Sequence, residues 1–149
     1  MGRGGRVDNS NLESLHDRIV AAASSQQTDQ FYTGLLNDLM NGLLDDVKNL
    51  TPVSSGHLRR NWNTTPARRV GQGYFSKIYN NVKYAQFVEN GHRQKVGRYV
   101  PAIGKRLTQP FVEGHHMLRE GMNDYANDAP AYIQEQQEAF LRQILGGSE

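Results

Sequence analysis

The chain has 149 residues, of which 37% are hydrophobic and 21% charged, so one domain with a single modest core is expected, plus segments that order fully only against a partner. It contains no Cys, which excludes a disulfide scaffold, thiol catalysis and Cys-ligated zinc and suits a reducing compartment. The formal net charge of +2 is unevenly placed, at −3 over residues 1–50, +10 over 51–110 and −5 over 111–149, so the basic middle either meets acidic flanks, within one chain or between copies, or faces a polyanion such as DNA.

Residues 1–10 are rich in Gly and Arg without periodicity and read as a flexible arm. Leu12, Leu15, Ile19 and Ala22 recur at helical spacing over 11–24. The longest apolar run, 19–23, is far short of the ~20 residues that cross a bilayer, so a soluble, intracellular protein without a membrane partner is expected. Phe31, Leu35, Leu39, Leu43, Val47 and Leu50 form the strongest stripe, with Thr28 as N-cap and Asp29 in the first turn. Thr51-Pro52 ends that helix, because the residue before Pro disfavours helical dihedrals. Residues 53–56 are turn chemistry, with Ser54 or Ser55 placed to cap a short segment through Arg60. The stretches 61–66, 67–72 and 73–82 alternate polar with apolar or β-branched residues and are punctuated by Gly71, Gly73 and Asn80-Asn81, which predicts antiparallel strands. Residues 84–88 form a short apolar segment, helical turn or strand, ending at Gly91. A protruding basic loop or hairpin occupies 92–109. Phe111, His115, Leu118, Met122 and Tyr125 mark a helix, and Asp128 with Pro130 a second N-terminus. The predicted class is α+β: a small antiparallel sheet with a long N-terminal helix and C-terminal helices packed on it, plus a long basic loop. The domain spans 11–128, and 129–149 is a C-terminal helix packed on it or on a neighbouring subunit.

The sequence offers little for catalysis. His115 and His116 are adjacent and point about 100° apart on a helix, and no metal-ligand spacing occurs. Ser54-Ser55-Gly56-His57 brings hydroxyls near an imidazole, but neither a nucleophile-elbow frame nor an orienting acid accompanies them. Gly71-Gln72-Gly73 lacks the third Gly and the Lys of a phosphate loop. Glu89 is the only acid between 47 and 112. No enzyme, cofactor or metal is therefore expected, and a hydrolase using His57 or His115-His116 has little support. Arg59-Arg60 and Arg68-Arg69 flank Trp62 and could serve single-stranded nucleic acid by stacking and phosphate contact, although alternation splits each pair between two faces of a strand.

Two blocks resemble the tail-completion, or head–tail joining, proteins of long-tailed bacteriophages. Thr51-Pro52-Val53-Ser54-Ser55-Gly56-His57-Leu58-Arg59-Arg60-Asn61-Trp62 is similar to that family's Thr-Pro-Val-Asp-Thr-Gly-x-Leu-Arg-x-Ser-Trp signature. Residues 78–93, with Tyr84-Ala85, Glu89, Gly91 and His92-Arg93, resemble its second block, and 111–118 weakly resembles the opening of its C-terminal helix. Ser54-Ser55 stands where the family has Asp-Thr, His57 where Arg is frequent and Asn90 where an aromatic is frequent.

The resemblance implies a structural virion protein of the phage neck, a tail-completion, tail-terminator or connector component. It would form a ring, expected to be a hexamer, around the DNA channel and join the tail tube protein to head-closure proteins. The genomic DNA would pass without sequence-specific contact. Candidate channel or subunit-interface residues are Arg59, Arg60, Arg68, Arg69, Arg93, Lys95, Arg98, Lys105 and Arg106. Candidate motif and core residues are Thr51, Pro52, Gly56, Leu58, Trp62, Tyr84, Phe87, Glu89, Gly91 and His92. The alternative is a non-sequence-specific DNA-binding protein acting through the basic middle.

Overall fold

A computed structural model describes residues 10–23, 26–54 and 56–146. Of the arm read at 1–10, residues 1–9 lie outside the described residues, as does Ser55 as a cap, and Ser10 opens the first helix instead. Among the described residues five helices and eight short strands follow in mixed order. Helix α1 spans Ser10–Ala23 and α2 spans Gln26–Leu50, so Thr28 lies inside α2 and is not its cap. One turn of helix, α3 (His57–Arg60), begins after Gly56, which sits at φ 75 and offers no side-chain cap. The class is α+β as predicted.

Two β-hairpins share one construction. In the first, β1 (Trp62–Thr64) and β2 (Arg68–Val70) run out, and β3 (Gly73–Phe75) and β4 (Ile78–Asn80) return. Thr64 faces Ile78 while Arg68 faces Phe75, so the outgoing strand carries one extra residue, a bulge between two ladders. The second has β5 (His92–Arg93), β6 (Tyr99–Val100), β7 (Lys105–Arg106) and β8 (Phe111–Val112). Arg93 faces Phe111 and Tyr99 faces Arg106, again with one extra residue on the way out. The expected single small sheet is thus two bulged hairpins, both antiparallel. Helix α4 (Ala85–Asn90) lies between them and resolves the ambiguity at 84–88.

Helix α5 runs unbroken from Met117 to Leu145 with Pro130 inside it. This corrects both the helix beginning at Phe111, which is a strand residue, and the second N-terminus at Asp128 and Pro130. An interior Pro costs about 3 kcal/mol through a lost N–H and a clash with the carbonyl four residues back. Packing on both sides of Pro130 holds the helix through it. Gly121 meets Val47 and Gly42 meets Tyr125 on one side, while Phe31 stacks on Phe140 at 4.1 Å and Gln137 donates to Tyr32 on the other. These pairs run in opposite directions along α2 and α5, so the two helices form an antiparallel pair.

The core sits where this pair meets the first hairpin. Leu43, Val47, Leu58, Trp62, Ala85 and Met117 are buried together, with Met40, Leu44, Ile78, Val82, Val88, Leu118 and Tyr125 packed around them. The α2 stripe is therefore core over most of its length, although Leu50 at its end is exposed.

Candidate assembly interface

The first signature block folds into a corner. Thr51 is buried, and its hydroxyl donates to the Val47 carbonyl at 2.7 Å and accepts from Trp62 Nε1 at 2.9 Å. A buried indole N–H needs an acceptor, and the residue that stops α2 provides it. Leu58 is buried below, and its carbonyl accepts from Asn80 Nδ2 at 2.8 Å, tying α3 to β4. Trp62 therefore has no free face on which a nucleic-acid base could stack.

The second block folds into a crossing. Gly91, at φ 76, and Gly114 pass backbone to backbone: a Cβ on Gly91 would meet the Val112 carbonyl, and one on Gly114 the Glu89 carbonyl. Only Gly fits at these positions. Glu89 then closes the start of α5: its carboxylate accepts from the Leu118 N–H at 2.9 Å and the Arg119 N–H at 3.1 Å. A negative side chain on these unpaired N–H groups complements the helix dipole. His116, in the left-handed region at φ 47, turns the chain into α5 and donates its N–H to the Glu89 carbonyl at 3.0 Å.

From this crossing the second hairpin extends as an arm. Gln94 N–H donates to Pro110 O, Gly97 N–H to Leu107 O and Leu107 N–H to Arg98 O, so backbone bonds continue between the two ladders. Arg93, Lys95, Arg98, Lys105 and Arg106 lie on it with no acid between residues 90 and 112. All five are exposed, and Arg106 donates to the Gly97 carbonyl at 2.8 Å. Apolar side chains are exposed among them: Val96 at 54%, Tyr99 at 53% and Ile103 at 60%. At the base, Tyr84 and Phe87, expected in the core, are 44% and 55% exposed. They line an open groove of about 560 Å³ with Pro52, Val88, His92 and Val112. His92 packs edge-on to the Phe87 ring at 5.8 Å, with its buried Nδ1 unpartnered.

The other basic residues are placed differently. Arg69 pairs with Asp29 at 3.0 Å, and Tyr74 donates its hydroxyl hydrogen bond to the same carboxylate. The neighbouring Arg68 lies over the Phe75 ring at 6.0 Å, on the other face of the strand as alternation requires. Arg59 donates to Asn49 Oδ1 at 3.2 Å, and Arg60 is exposed on α3. The nine candidate cations thus fall into two groups: Arg59, Arg60, Arg68 and Arg69 on the body, and five on the arm. The Asp29–Arg69–Tyr74 cluster and Gly114 were missed by sequence reasoning; the first joins residues 40 and 45 positions apart, and no local pattern announces it.

Among the described residues no three His, Asp or Glu side chains group as a metal site would, and no helix is long and apolar enough to cross a membrane. Residues 10–91, which hold the corner, the first hairpin and α4, match the family described as "Bacteriophage HK97-gp10, putative tail-component". The chain belongs to this HK97-gp10-like family. No curated protein and no solved structure matches it. The chain is thus a bacteriophage tail component, a structural part of the virion that associates with other virion proteins. In this member of the family the match ends where the arm begins.

Proposed function

We propose that this tail component completes the tail at the neck. Copies of the chain form a closed ring, a hexamer, around the DNA channel and join the tail tube protein to the head-closure or connector proteins. The ring assembles in the host cytoplasm and acts through surfaces alone, as neither an enzyme nor a cofactor carrier. The observation that carries this reading is an arm of exposed cations and exposed apolar side chains, attached through the Gly91–Gly114 crossing to a body of the tail-component family. Large apolar side chains left in water mark association surfaces, and a ring is a head-to-tail contact that closes.

Negative-stain imaging of particles made without the protein tests it. Free heads beside free or overlong tails are expected, and normally joined particles would refute it. The alternative, an independent DNA-binding protein, is favoured by the +10 charge of residues 51–110. It requires the isolated chain to bind duplex with a steep dependence of log affinity on log salt. No retention of duplex at low salt removes it.

A further inference from the structure

The arm has a counterpart on the same chain that it does not reach. Glu120, Asp124, Asp128, Tyr132 and Glu135 follow one another along α5 at steps of four, four, four and three residues, so they form one ridge. All five are exposed. Among the described residues the ion pairs are His16–Asp17, Arg69–Asp29 and Arg142–Glu138, and none uses a cation of the arm or an acid of this ridge. Two lines of opposite charge therefore stand unpaired in a single copy. Both lines are extended: Glu120 to Glu135 is about 22 Å along a helix, and the arm cations run from Arg93 in β5 past Arg98 to Lys105 and Arg106 in β7. Both lines also carry apolar surface, Val96, Tyr99 and Ile103 on the arm and Tyr132 on the ridge.

We infer that the arm of one copy docks along the acidic ridge of α5 on the next copy. The inference deepens the ring reading above and rests on it. DNA is the other partner for a cationic hairpin, but phosphates offer nothing to Val96, Tyr99 and Ile103, whereas a helix face with a tyrosine does. The contact is also directional. Arm and ridge lie on different elements, so each copy offers one of each, as a head-to-tail ring requires.

The chain has no Cys, so single introduced thiols report single contacts. Tails assembled from a mixture of Arg98→Cys and Asp128→Cys chains should yield crossed disulfide dimers in clear excess over a mixture of Arg98→Cys and Lys83→Cys chains. No excess overturns the contact. Charge reversal gives an independent arm of the test. Lys95→Glu with Arg98→Glu and Lys105→Glu, or Asp124→Lys with Asp128→Lys and Glu135→Lys, should each weaken a contact about 30-fold, from several exposed ion pairs of ordinary strength. Each set alone should lower the yield of joined particles, and the chain carrying both sets should recover it. Failure of the combined chain to recover, with duplex retention at low salt following the arm charge alone, would make DNA the partner and overturn the inference. Rings at the tail end that are indifferent to both reversals would overturn the contact and leave the ring standing. Absence of the protein from the neck of wild-type particles would remove the ring reading itself.

Discussion

Replacing Thr51 by Val keeps the shape of the corner and removes only its hydroxyl. That oxygen has two roles. It is the acceptor for Trp62 Nε1, and it donates to the Val47 carbonyl. The backbone N–H of Thr51 is turned to Lys48 O at 3.2 Å, so it does not replace the bond at Val47. Thr51→Val therefore orphans a donor and an acceptor next to the core cluster. Each such group costs about 1–3 kcal/mol. With partial relaxation the pair should cost about 3 kcal/mol, which lowers Tm by about 6–12 °C for a chain of this size. Thr51→Ser keeps both bonds and loses one methyl, for about 1 kcal/mol. Trp62 is the only Trp, so its fluorescence follows urea unfolding of this corner directly. Far-ultraviolet circular dichroism follows the double variant Thr51→Val with Trp62→Phe. In that background the indole N–H is gone, and the added cost of Thr51→Val should fall by about half. Equal losses for Val and Ser, or full additivity with Trp62→Phe, would refute the assigned role of the hydroxyl.

Four further outcomes follow from the same geometry. Glu89→Gln should cost about 1 kcal/mol by weakening the cap on α5, and should speed amide exchange at Leu118 and Arg119 before the rest of the helix. Gly114→Ala forces a methyl into the Glu89 carbonyl, and should cost about 2 kcal/mol or more in chemical denaturation, where Gly34, exposed on α2 with open space at its Cβ position, would accept Ala. The Tyr74 phenol is held above its ordinary value, first by its hydrogen bond to the Asp29 carboxylate and then by desolvation. Its contribution is complete below the unfolded value of 10.0 and is lost as pH rises through the higher folded value, so Tyr74→Phe should flatten the alkaline edge of a pH–stability curve. Trypsin should cut the free chain first at the arm, at Lys95, Arg98 or Lys105, and leave Arg68 and Arg69 until later. Prior cutting at Arg69 would contradict the packing of the first hairpin.

What could be read from sequence was whatever local chemistry decides. The α2 stripe, its stop at Thr51-Pro52, the end of the short apolar segment at Gly91 and the antiparallel strands each follow from residues within a few positions of one another. Pro130 misled because its local penalty is real but is outweighed by contacts with Phe31 and Tyr32, about a hundred residues away in sequence. Tyr84 and Phe87 misled for another reason. An apolar pair at short spacing has the same pattern whether it faces its own core or another molecule, and periodicity cannot tell the two apart. Glu89 appeared in the sequence as a motif position without a role; only the return of the chain at Gly114 brings α5 onto its carboxylate.

The two hairpins make the functional argument sharper than the charge count alone. Both are antiparallel and carry one extra residue on the outgoing side, the first on three-residue ladders and the second on two-residue ones. A two-stranded ribbon is marginal by itself in water. The first has α2 beneath it, with Arg69 and Tyr74 fastened to Asp29 and the Ala67 N–H to Asn37 at 2.8 Å. The second has its Gly91–Gly114 base, while β6 and β7 pack principally on each other. Within one copy this leaves Val96, Tyr99, Ile103 and the cations without a surface to cover them. A ribbon built to stand alone would carry polar side chains on its faces. This one exposes Val96, Tyr99 and Ile103 among its cations, so a surface that offers both acids and apolar area is the feature to seek on its neighbour.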